Sequence, residues 1–350
     1  KNGKNIYSYS LNHPRVNKNS FDIPIVNILF NELENFLKMN FAGLDLENPI
    51  MTASGCFGFG LEYKDYFDPN ELGAVLIKGL TPEPREGNYG IRIAETPAGM
   101  LNSVGLENPG IDYFERETAP LLERELKVPV IANINGKILE EYIEIAERAE
   151  AIDVIKAIEL NISCPNVKDG GMAFGANPDM AAKVTREVRR VTKKPLIVKL
   201  SPNVTDIAGI AKLVEAEGAD ALSLINTLLG MSIDINKKKP LLGNIFGGLS
   251  GPAVKPVALR MVYQVSNAVS IPLLGMGGIS TAEDALEFFM AGASAISVGT
   301  GFFQNPLAAV EIKQGLINYC TENNLSNINE IVAYAHTDDG KAYRKRIFSK

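Results

Sequence analysis

The sequence predicts a single (β/α)8 barrel, also called a TIM barrel, and three observations lead to this prediction. The chain has 350 residues and 46% of them are hydrophobic, which is enough for a barrel-sized core. From residue 41 onwards, short apolar segments alternate with segments of helical period. Such alternation is typical of parallel strands joined by helices. The number of apolar segments is eight, as a closed barrel of this type requires.

The eight predicted strands are short and rich in aliphatic residues. They are Pro49–Ala53, Ala74–Lys78, Val128–Asn133, Ala157–Asn161, Leu196–Leu200, Ala221–Ile225, Ile271–Met276 and Ala295–Val298. The helices predicted between them are Leu139–Ala151, Pro178–Val191, Val204–Glu217, Pro256–Val269, Ala282–Ala291 and Pro306–Tyr319. Gly218 and Gly292 are expected to end a helix just before the next strand.

An open, doubly wound sheet is the alternative fold. It needs a Gly-rich turn that opens a helix directly after the first strand, followed by an acidic ribose partner. The segment Ser54-Gly-Cys-Phe-Gly-Phe-Gly60 matches that turn only superficially. The barrel is therefore favoured.

Charge and cysteine content exclude several classes of function. The net charge is −6 and no long basic block occurs, which argues against nucleic-acid binding. The 3 cysteines are far apart, so they fit neither a disulfide framework nor an iron–sulfur cluster, which usually takes about four thiolates. No segment approaches the roughly 18 apolar residues of a membrane span, and the Lys- and Asn-rich start lacks the apolar stretch of a signal peptide. We therefore expect a soluble, cytoplasmic protein.

The chain divides into two parts by composition. Residues 1–40 are predicted to be an N-terminal extension, accessory or partly disordered, and residues 41–350 a single barrel domain. Two connections in the barrel, Gly79–Thr118 and Leu228–Ala253, are too long to be simple turns. Long loops in a compact domain are usually functional, and loops that follow barrel strands build the active site. We expect these two loops to lie over the C-terminal face.

Polar residues or glycines follow almost every predicted strand. They are Ser54, Lys78, Asn133, Asn161, Lys199, Asn226, Gly277-Gly278 and Gly299-Thr300. The opposite strand ends carry nothing comparable, which favours a site at the C-terminal face. The glycines after the last two strands predict a phosphate site built from backbone N–H groups and a helix N-terminus. The alternative for each glycine pair is a tight turn.

The polar groups at the strand ends suggest the chemistry of the ligand. Lys78 and Lys199 are expected to be buried cations, and none of the strand-end residues is Asp or Glu, so an anionic ligand is their favoured partner. Four amides suit a heterocycle with alternating C=O and N–H groups: Asn133, Asn161, Asn166 and Asn226. Neither histidine lies near a strand end, and no carboxylate cluster suggests a metal site. Cys164 is the remaining candidate for a general base, the alternative being a small core residue.

Six motifs, in order, resemble the dihydroorotate dehydrogenase family. They are Ala53-Ser-Gly-Cys-Phe-Gly-Phe-Gly60, Met100-Leu-Asn-Ser-Val-Gly-Leu-Glu-Asn-Pro-Gly110, Glu159-Leu-Asn-Ile-Ser-Cys-Pro-Asn-Val-Lys168, Val198-Lys-Leu-Ser-Pro-Asn203, Ile225-Asn-Thr227 and Gly247-Gly-Leu-Ser-Gly-Pro252. The resemblance runs from about Phe41 to Pro306. The first motif and the Val-Lys pair after Cys-Pro-Asn favour class 1B, the catalytic subunit that works with an electron-transfer partner, over class 1A.

The resemblance implies FMN-dependent oxidation of (S)-dihydroorotate to orotate in pyrimidine biosynthesis. Cys164 would remove the C5 proton, the C6 hydride would pass to FMN, and Lys78 and Lys199 would stabilise charge. The FMN-binding residues that the motifs imply are Ser54, Lys78, Gly79, Asn133, Asn161, Lys199, Ile225, Gly251, Gly277, Gly278, Gly299 and Thr300. The implied substrate-binding residues are Lys78, Asn102, Ser103, Val104, Gly105, Leu106, Asn161, Asn166, Asn226 and Thr227.

The resemblance also implies an assembly. A homodimer of this chain would bind two copies of a second subunit that carries FAD and a [2Fe–2S] cluster and passes electrons to NAD. Three alternatives stay open: a fumarate-dependent class 1A enzyme, a dihydropyrimidine dehydrogenase, and a non-catalytic phosphate-binding barrel. The second carries His where Asn166 stands here, together with a cysteine cluster that this chain lacks. Cys164 argues against the membrane-bound class 2 enzymes, which use Ser as the base.

Overall fold

A closed barrel of eight parallel strands forms the centre of the molecule, in a computed structural model that describes residues 35–163 and 174–348. The strands are β1 Met39–Phe41, β2 Leu44–Leu46, β3 Ile50–Thr52, β4 Val75–Leu76, β5 Ile93–Thr96, β6 Gly99–Asn102, β7 Val130–Ile134, β8 Ile155–Asn161, β9 Leu196–Lys199, β10 Ala221–Leu224, β11 Leu228–Met231, β12 Ile233–Asp234, β13 Lys239–Pro240, β14 Phe246–Ser250, β15 Leu273–Met276 and β16 Ala295–Val298. The barrel order is β3-β16-β15-β10-β9-β8-β7-β4, and a parallel bridge from Met51 to Ala74 closes it. The predicted (β/α)8 fold is confirmed, and the open sheet is excluded.

Helices surround the barrel. They are α1 Ile111–Tyr113, α2 Ala119–Glu125, α3 Leu139–Ala151, α4 Pro178–Val191, α5 Ile207–Ala216, α6 Lys255–Ser266, α7 Ala282–Ala291, α8 Gly301–Gln304, α9 Ala308–Glu322 and α10 Thr337–Phe348. The sequence predicted α3, α4 and α7 to the residue, and the other predicted helices differ by a few residues at their ends. At α5 the reason is a cap: the Asp206 side chain accepts from the Gly209 N–H, so the helix begins after Asp206. Gly218 and Gly292 have φ of +95° and +114°, as helix-ending glycines do.

The barrel interior changes from apolar to polar along its axis. Side chains on a strand alternate between two faces, so every second residue points inward. Near the N-terminal end, the inward positions of β7, β8 and β9 are Ile131, Ala157 and Ile197. Two residues further along the same strands, the inward positions are Asn133, Glu159 and Lys199, all buried. The sequence thus places a buried polar layer directly beneath the C-terminal face.

A β-hairpin closes the barrel at the N-terminal ends of its strands. Strands β1 and β2 pair antiparallel, and Met39, Phe41 and Leu46 pack into the apolar layer of the barrel. The predicted boundary at residue 40 falls inside this hairpin. Residues 1–34, which make up most of the predicted extension, lie outside the described residues.

The two long loops meet in a second sheet. Their strands form a four-stranded antiparallel sheet in the order β11-β14-β6-β5. One loop leaves the C-terminal end of β4 and the other leaves that of β10, so this lid sheet sits at the end of the barrel where the polar layer lies. Across it, the Asn102 amide donates to the Gly248 carbonyl at 3.3 Å.

The C-terminal segment packs on the outside of the barrel. The buried His336 ring stacks on Tyr263, with ring centroids 3.9 Å apart. Its Nε2 lies 2.8 Å from the Ala291 carbonyl oxygen, and the Tyr343 hydroxyl donates to the Gly292 carbonyl at 3.1 Å. These contacts fix α10 against α6 and α7. No helix in the described ranges has the length and apolar character needed to cross a bilayer.

Candidate active site

The barrel brings the predicted site residues together at its C-terminal face. Asn133 lies within β7, and Asn161 and Lys199 end β8 and β9. Ten others lie within three residues of the end of a barrel strand, namely Ser54, Lys78, Gly79, Ile225, Asn226, Thr227, Gly277, Gly278, Gly299 and Thr300. Parallel strands all end at the same edge, so these residues share one mouth.

A buried carboxylate, Glu159, lies at the centre of the polar layer. It is fully buried, and its Oε1 accepts a hydrogen bond from the Ser223 hydroxyl at 2.7 Å. Its Oε2 accepts from the Asn133 amide, whose own carbonyl oxygen accepts from Asn135 at 2.7 Å. The Nζ of Lys199 lies 3.6 Å from the same Oε2. Four strands therefore contribute to one hydrogen-bonded and charged network.

The expectation that the favoured partner of Lys199 is an anionic ligand needs correction, because an acidic residue of the chain pairs with it. Lys199 is 4% exposed and pairs with Glu159, which lies two residues before the strand end and so was outside the strand-end set. Its Nζ also donates to the Ser54 hydroxyl at 3.4 Å. Lys78 differs, since it is half-buried and its ammonium group has no carboxylate partner within residues 35–163 and 174–348. For Lys78 the anionic-ligand interpretation still stands.

Asn161 is held in place from several sides. Its backbone carbonyl oxygen accepts a hydrogen bond from the Tyr142 hydroxyl at 3.0 Å. Its side-chain oxygen accepts one from the Ser163 N–H at 3.2 Å. The Asn226 amide reaches the same side-chain oxygen at 3.4 Å. The Asn226 oxygen in turn accepts from the Thr227 N–H at 2.7 Å. These contacts align two amides side by side at the mouth.

Three glycines with positive φ, which together we call the glycine surface, follow β15 and β14. Gly277, Gly278 and Gly251 have φ of +117°, +80° and +95°, which favour glycine. A Cβ atom on Gly278 would lie 2.8 Å from the Cβ of Lys255 and 2.9 Å from the Gly251 carbonyl oxygen. A side chain is therefore excluded here. The predicted helix N-terminus is less developed, because α8 after Thr300 has four residues.

Gly79 also needs to lack a side chain. A Cβ atom there would lie 2.5 Å from the Asn135 amide nitrogen and 2.9 Å from the side-chain oxygen of Asn133. The segment after β4 can therefore approach the polar layer closely. Ile225 is buried, and its N–H donates to the Met276 carbonyl at 3.1 Å.

The predicted substrate loop follows β6 in the lid sheet. Its shape is fixed from one side by Asn88, whose amide donates to the Ser103 carbonyl at 2.9 Å and whose N–H donates to the Val104 carbonyl at 2.9 Å. Gly105 and Leu106 then adopt φ of +83° and +57°. The Ser103 hydroxyl is buried, and it has no hydrogen-bond partner among the described residues. A buried hydroxyl without a partner is unusual, and a ligand at the mouth would supply one.

Two predicted residues, Cys164 and Asn166, lie outside the described residues. Cys56 follows β3 at the mouth, and desolvation raises its pKa to about 11, although Lys199 and Lys78 lower it. Cys56 is therefore protonated at neutral pH and is a poor base. In the described parts of the chain, no three His, Cys, Asp or Glu side chains gather as metal ligands would.

Comparison with known proteins decides the family. The sequence model of dihydroorotate dehydrogenase matches residues 36–319. The chain belongs to the dihydroorotate dehydrogenase family.

Proteins with similar sequences are named dihydroorotate dehydrogenase B (NAD(+)), catalytic subunit. That of Brachyspira hyodysenteriae is 57% identical over 301 residues, covering 86% of this chain and 99% of the relative. That of Desulforamulus reducens is 58% identical over 304 residues, covering 86% of this chain and 100% of the relative. That of Geobacillus kaustophilus is 55% identical over 298 residues, covering 85% of this chain and 95% of the relative.

Membership of the dihydroorotate dehydrogenase family confirms the resemblance seen in the motifs. Sequence reasoning nevertheless missed Glu159, Ser223 and Asn135, which the fold adds to the network. A signal for Glu159 was present: it is a charged residue inside a predicted buried strand, two positions before Asn161 and so on the same face. Ser223 gives no such signal, because a serine in a buried strand is common.

Proposed function

We propose that this chain is the catalytic subunit of a flavin-dependent dihydroorotate dehydrogenase, which oxidises (S)-dihydroorotate to orotate in pyrimidine biosynthesis. One observation carries the proposal. A buried polar layer with cations and paired amides lies at the mouth of a barrel whose sequence is 57% identical over 301 residues to a catalytic subunit of that name. Amide groups and an ammonium group suit a planar ring with C=O and N–H edges and a carboxylate.

FMN fits the residues present. Gly277 and Gly278 carry no side chain that would keep a phosphate away from the backbone after β15. In the described parts of the chain, the N–H groups of Gly278, Gly299 and Thr300 donate to no other residue. Further contacts would come from Ser54, Lys78, Gly79, Asn133, Asn161, Lys199, Ile225, Gly251 and Gly277. When bound, FMN supplies the acceptor for the electrons that leave the substrate.

The chain's own side chains would then bind and orient the substrate. Lys78, with no carboxylate partner in the described ranges, would hold the substrate carboxylate. Asn161 and Asn226, aligned at 3.4 Å, would bind the ring edges together with Asn166 and Thr227. The loop Asn102, Ser103, Val104, Gly105 and Leu106 would cover the substrate and exclude water.

Cys164 would act as the general base that takes the C5 proton. A thiolate can accept a proton and a thiol cannot, so the rate of the first half-reaction should rise with pH until Cys164 ionises. Lys199 would stabilise the negative charge that reduction places at the flavin site. The raised pKa of Cys56 supports this assignment, because it leaves that thiol unable to substitute for Cys164 at neutral pH.

The electrons would leave through a second subunit. The relatives' names contain NAD(+) and the words catalytic subunit, which supports a partner that completes the reaction. We propose a cytoplasmic heterotetramer, with a homodimer of this chain and two subunits that carry FAD and a [2Fe–2S] cluster. With 3 cysteines, far apart in sequence, this chain has no cysteine motif for the cluster itself.

Ligand binding and electron acceptors test the proposal. The purified chain, reconstituted with FMN, is titrated with orotate, and the visible flavin spectrum is recorded. A saturable spectral change is expected, whereas a protein that takes up FMN but ignores orotate would contradict the substrate. In steady-state assays, we expect turnover with NAD to require the partner subunit. Full turnover of the isolated chain with fumarate would instead identify the class 1A type.

A further inference from the structure

Glu159 is a buried charge to which the proposed reaction assigns no role. It has 0% exposure, and both carboxylate oxygens have partners: Ser223 on Oε1, and Asn133 and Lys199 on Oε2. Burying a carboxylate is costly, and replacement of a buried ion pair by apolar residues is often neutral or stabilising. The hydrogen bonds and the ion pair explain how the protein tolerates Glu159. They do not explain why a charge stands there.

Strand register fixes the order of the two charges along the barrel axis. Asn161 is the register partner of Lys199, whereas Glu159 is the partner of Ile197. Within the polar layer, Glu159 therefore lies two residues further from the C-terminal strand ends, in register, than Lys199. Lys199 lies nearer the mouth, where its Nζ contacts the Ser54 hydroxyl. A group bound at the mouth is exposed to a positive charge, with a negative charge directly behind it.

We propose that Glu159 is a positioning residue that holds the Lys199 ammonium at the mouth and partly offsets its charge, thereby setting the reduction potential of the bound flavin. This inference rests on the proposed function. Reduction adds negative charge to the flavin site, so a nearby cation raises the potential and a nearby anion lowers it. Glu159 acts through two opposing effects: its own field lowers the potential, and the position that it gives to Lys199 raises it. Glu159→Gln keeps a side-chain oxygen that can accept from the Lys199 ammonium, so the loss of the negative field dominates in this variant.

Glu159→Gln separates charge from shape. The glutamine amide keeps the size of the side chain: its oxygen can accept from Asn133 and its NH2 group can donate to the Ser223 hydroxyl, which also accepts. We expect the equilibrium for flavin reduction to favour the reduced form by at least about tenfold relative to the unchanged protein, which is about 30 mV for a two-electron couple. Ser223→Ala is the matched control, because it removes a hydrogen bond to the same carboxylate without changing charge.

The measurement is the midpoint potential of the flavin, obtained by spectroelectrochemistry with a chemical reductant and without dihydroorotate. The expected order of potentials, from lowest, is Lys199→Met, the double variant Lys199→Met/Glu159→Gln, the unchanged protein, and Glu159→Gln. Ser223→Ala should lie close to the unchanged protein. Should Glu159→Gln not fold, the first two variants still decide, because the double variant replaces both charges and its potential must lie above that of Lys199→Met.

Four results would overturn the inference. An equal shift in Ser223→Ala would assign the effect to hydrogen bonding rather than to charge. A potential for Glu159→Gln at or below that of the unchanged protein would show that the Glu159 charge does not offset that of Lys199. Equal potentials for Lys199→Met and the double variant would do the same. A protein that binds no FMN would overturn the inference together with the proposed function. FMN binding with the expected order of potentials, but no response to dihydroorotate, would leave the inference standing and reject the substrate.

Discussion

The Nζ atom of Lys199 lies 3.6 Å from the Oε2 atom of Glu159, and both side chains are buried inside the barrel on neighbouring strands. Removing one partner leaves the other as an uncompensated buried charge, which typically costs about 3–5 kcal/mol. We therefore expect Lys199→Met to lower the free energy of unfolding by an amount in this range. The double variant Lys199→Met/Glu159→Gln should recover most of that loss. Urea denaturation of the FMN-free proteins measures both, and additive losses would contradict a coupled pair.

Ser103 provides a test of the substrate loop. Its hydroxyl is buried without a partner among the described residues, so Ser103→Ala should leave the stability of the ligand-free protein unchanged or slightly raised. If orotate is the missing partner, the same change should weaken orotate binding about three- to tenfold, the value of one hydrogen bond. Ser294→Ala is the control, because that hydroxyl is also buried and unpaired but precedes β16 at the other end of the barrel. Equal effects of the two variants on orotate affinity would refute the contact.

Gly278 tests the phosphate surface. Gly278→Ala would place a Cβ atom 2.8 Å from the Cβ of Lys255, at a backbone φ of +80°. We expect the FMN affinity of the apoprotein, measured by the quenching of flavin fluorescence, to fall by at least about tenfold, because the loop must move. Gly43→Ala is the matched control: it has a similar φ of +89°, but nothing lies within 4 Å of its Cβ position. It should cost stability, about 1–2 kcal/mol, without changing FMN affinity.

The sequence predicted the barrel and its mouth well, for a physical reason. Buried parallel strands are continuous apolar segments, and the residues at which they end are polar, so strand ends such as Asn161 and Lys199 could be placed without coordinates. The partner of Lys199 could not be placed in this way. It depends on strand register, which sets Glu159 two residues deeper than Lys199 and Ser223 beside Lys199. Register follows from packing rather than from local pattern. The lid sheet could not be predicted from the sequence either, because it pairs two loops that are more than a hundred residues apart in sequence.

The thiols of Cys56 and Cys164 are expected to differ in reactivity. The pKa of Cys56 is raised to about 11 by desolvation, so at pH 8 about a thousandth of it is thiolate. We expect iodoacetamide to label Cys56 about a hundredfold more slowly than a free thiol with a pKa near 8.5. Cys164, as an active-site base, should be labelled faster than Cys56 and be protected by orotate. Mass spectrometry of the two peptides over time measures this, and prompt labelling of Cys56 would contradict its raised pKa.

The same pKa shift makes a prediction about stability. Because the pKa of Cys56 is higher in the folded protein than in the unfolded chain, the folded state keeps a proton that the unfolded state releases. This contribution to stability is complete below the ordinary thiol pKa, about 8.5, and is lost as the pH rises towards 11. Urea midpoints compared at pH 7, 9 and 10.5 should fall less in Cys56→Ala than in the unchanged protein. Parallel losses would refute the assignment to Cys56.

Cys164 is tested as the base by replacement. Cys164→Ala should slow the first half-reaction by more than about a hundredfold, because a positioned base contributes at least that much. Cys164→Ser should retain slight activity at high pH alone, since a hydroxyl ionises far less readily than a thiol. Stopped-flow absorbance at several pH values measures both variants. A Cys164→Ala protein within about tenfold of the unchanged rate would remove Cys164 from the mechanism.

The central claim is that this barrel oxidises dihydroorotate with a bound flavin. The most direct measurement is anaerobic mixing of the FMN-reconstituted chain with dihydroorotate, while the visible flavin band is recorded. Rapid bleaching, with orotate as the product, is the result that we predict, and it requires neither the partner subunit nor NAD. A protein that binds FMN and stays yellow in the presence of dihydroorotate would contradict the claim, and it would direct the search to another reduced pyrimidine.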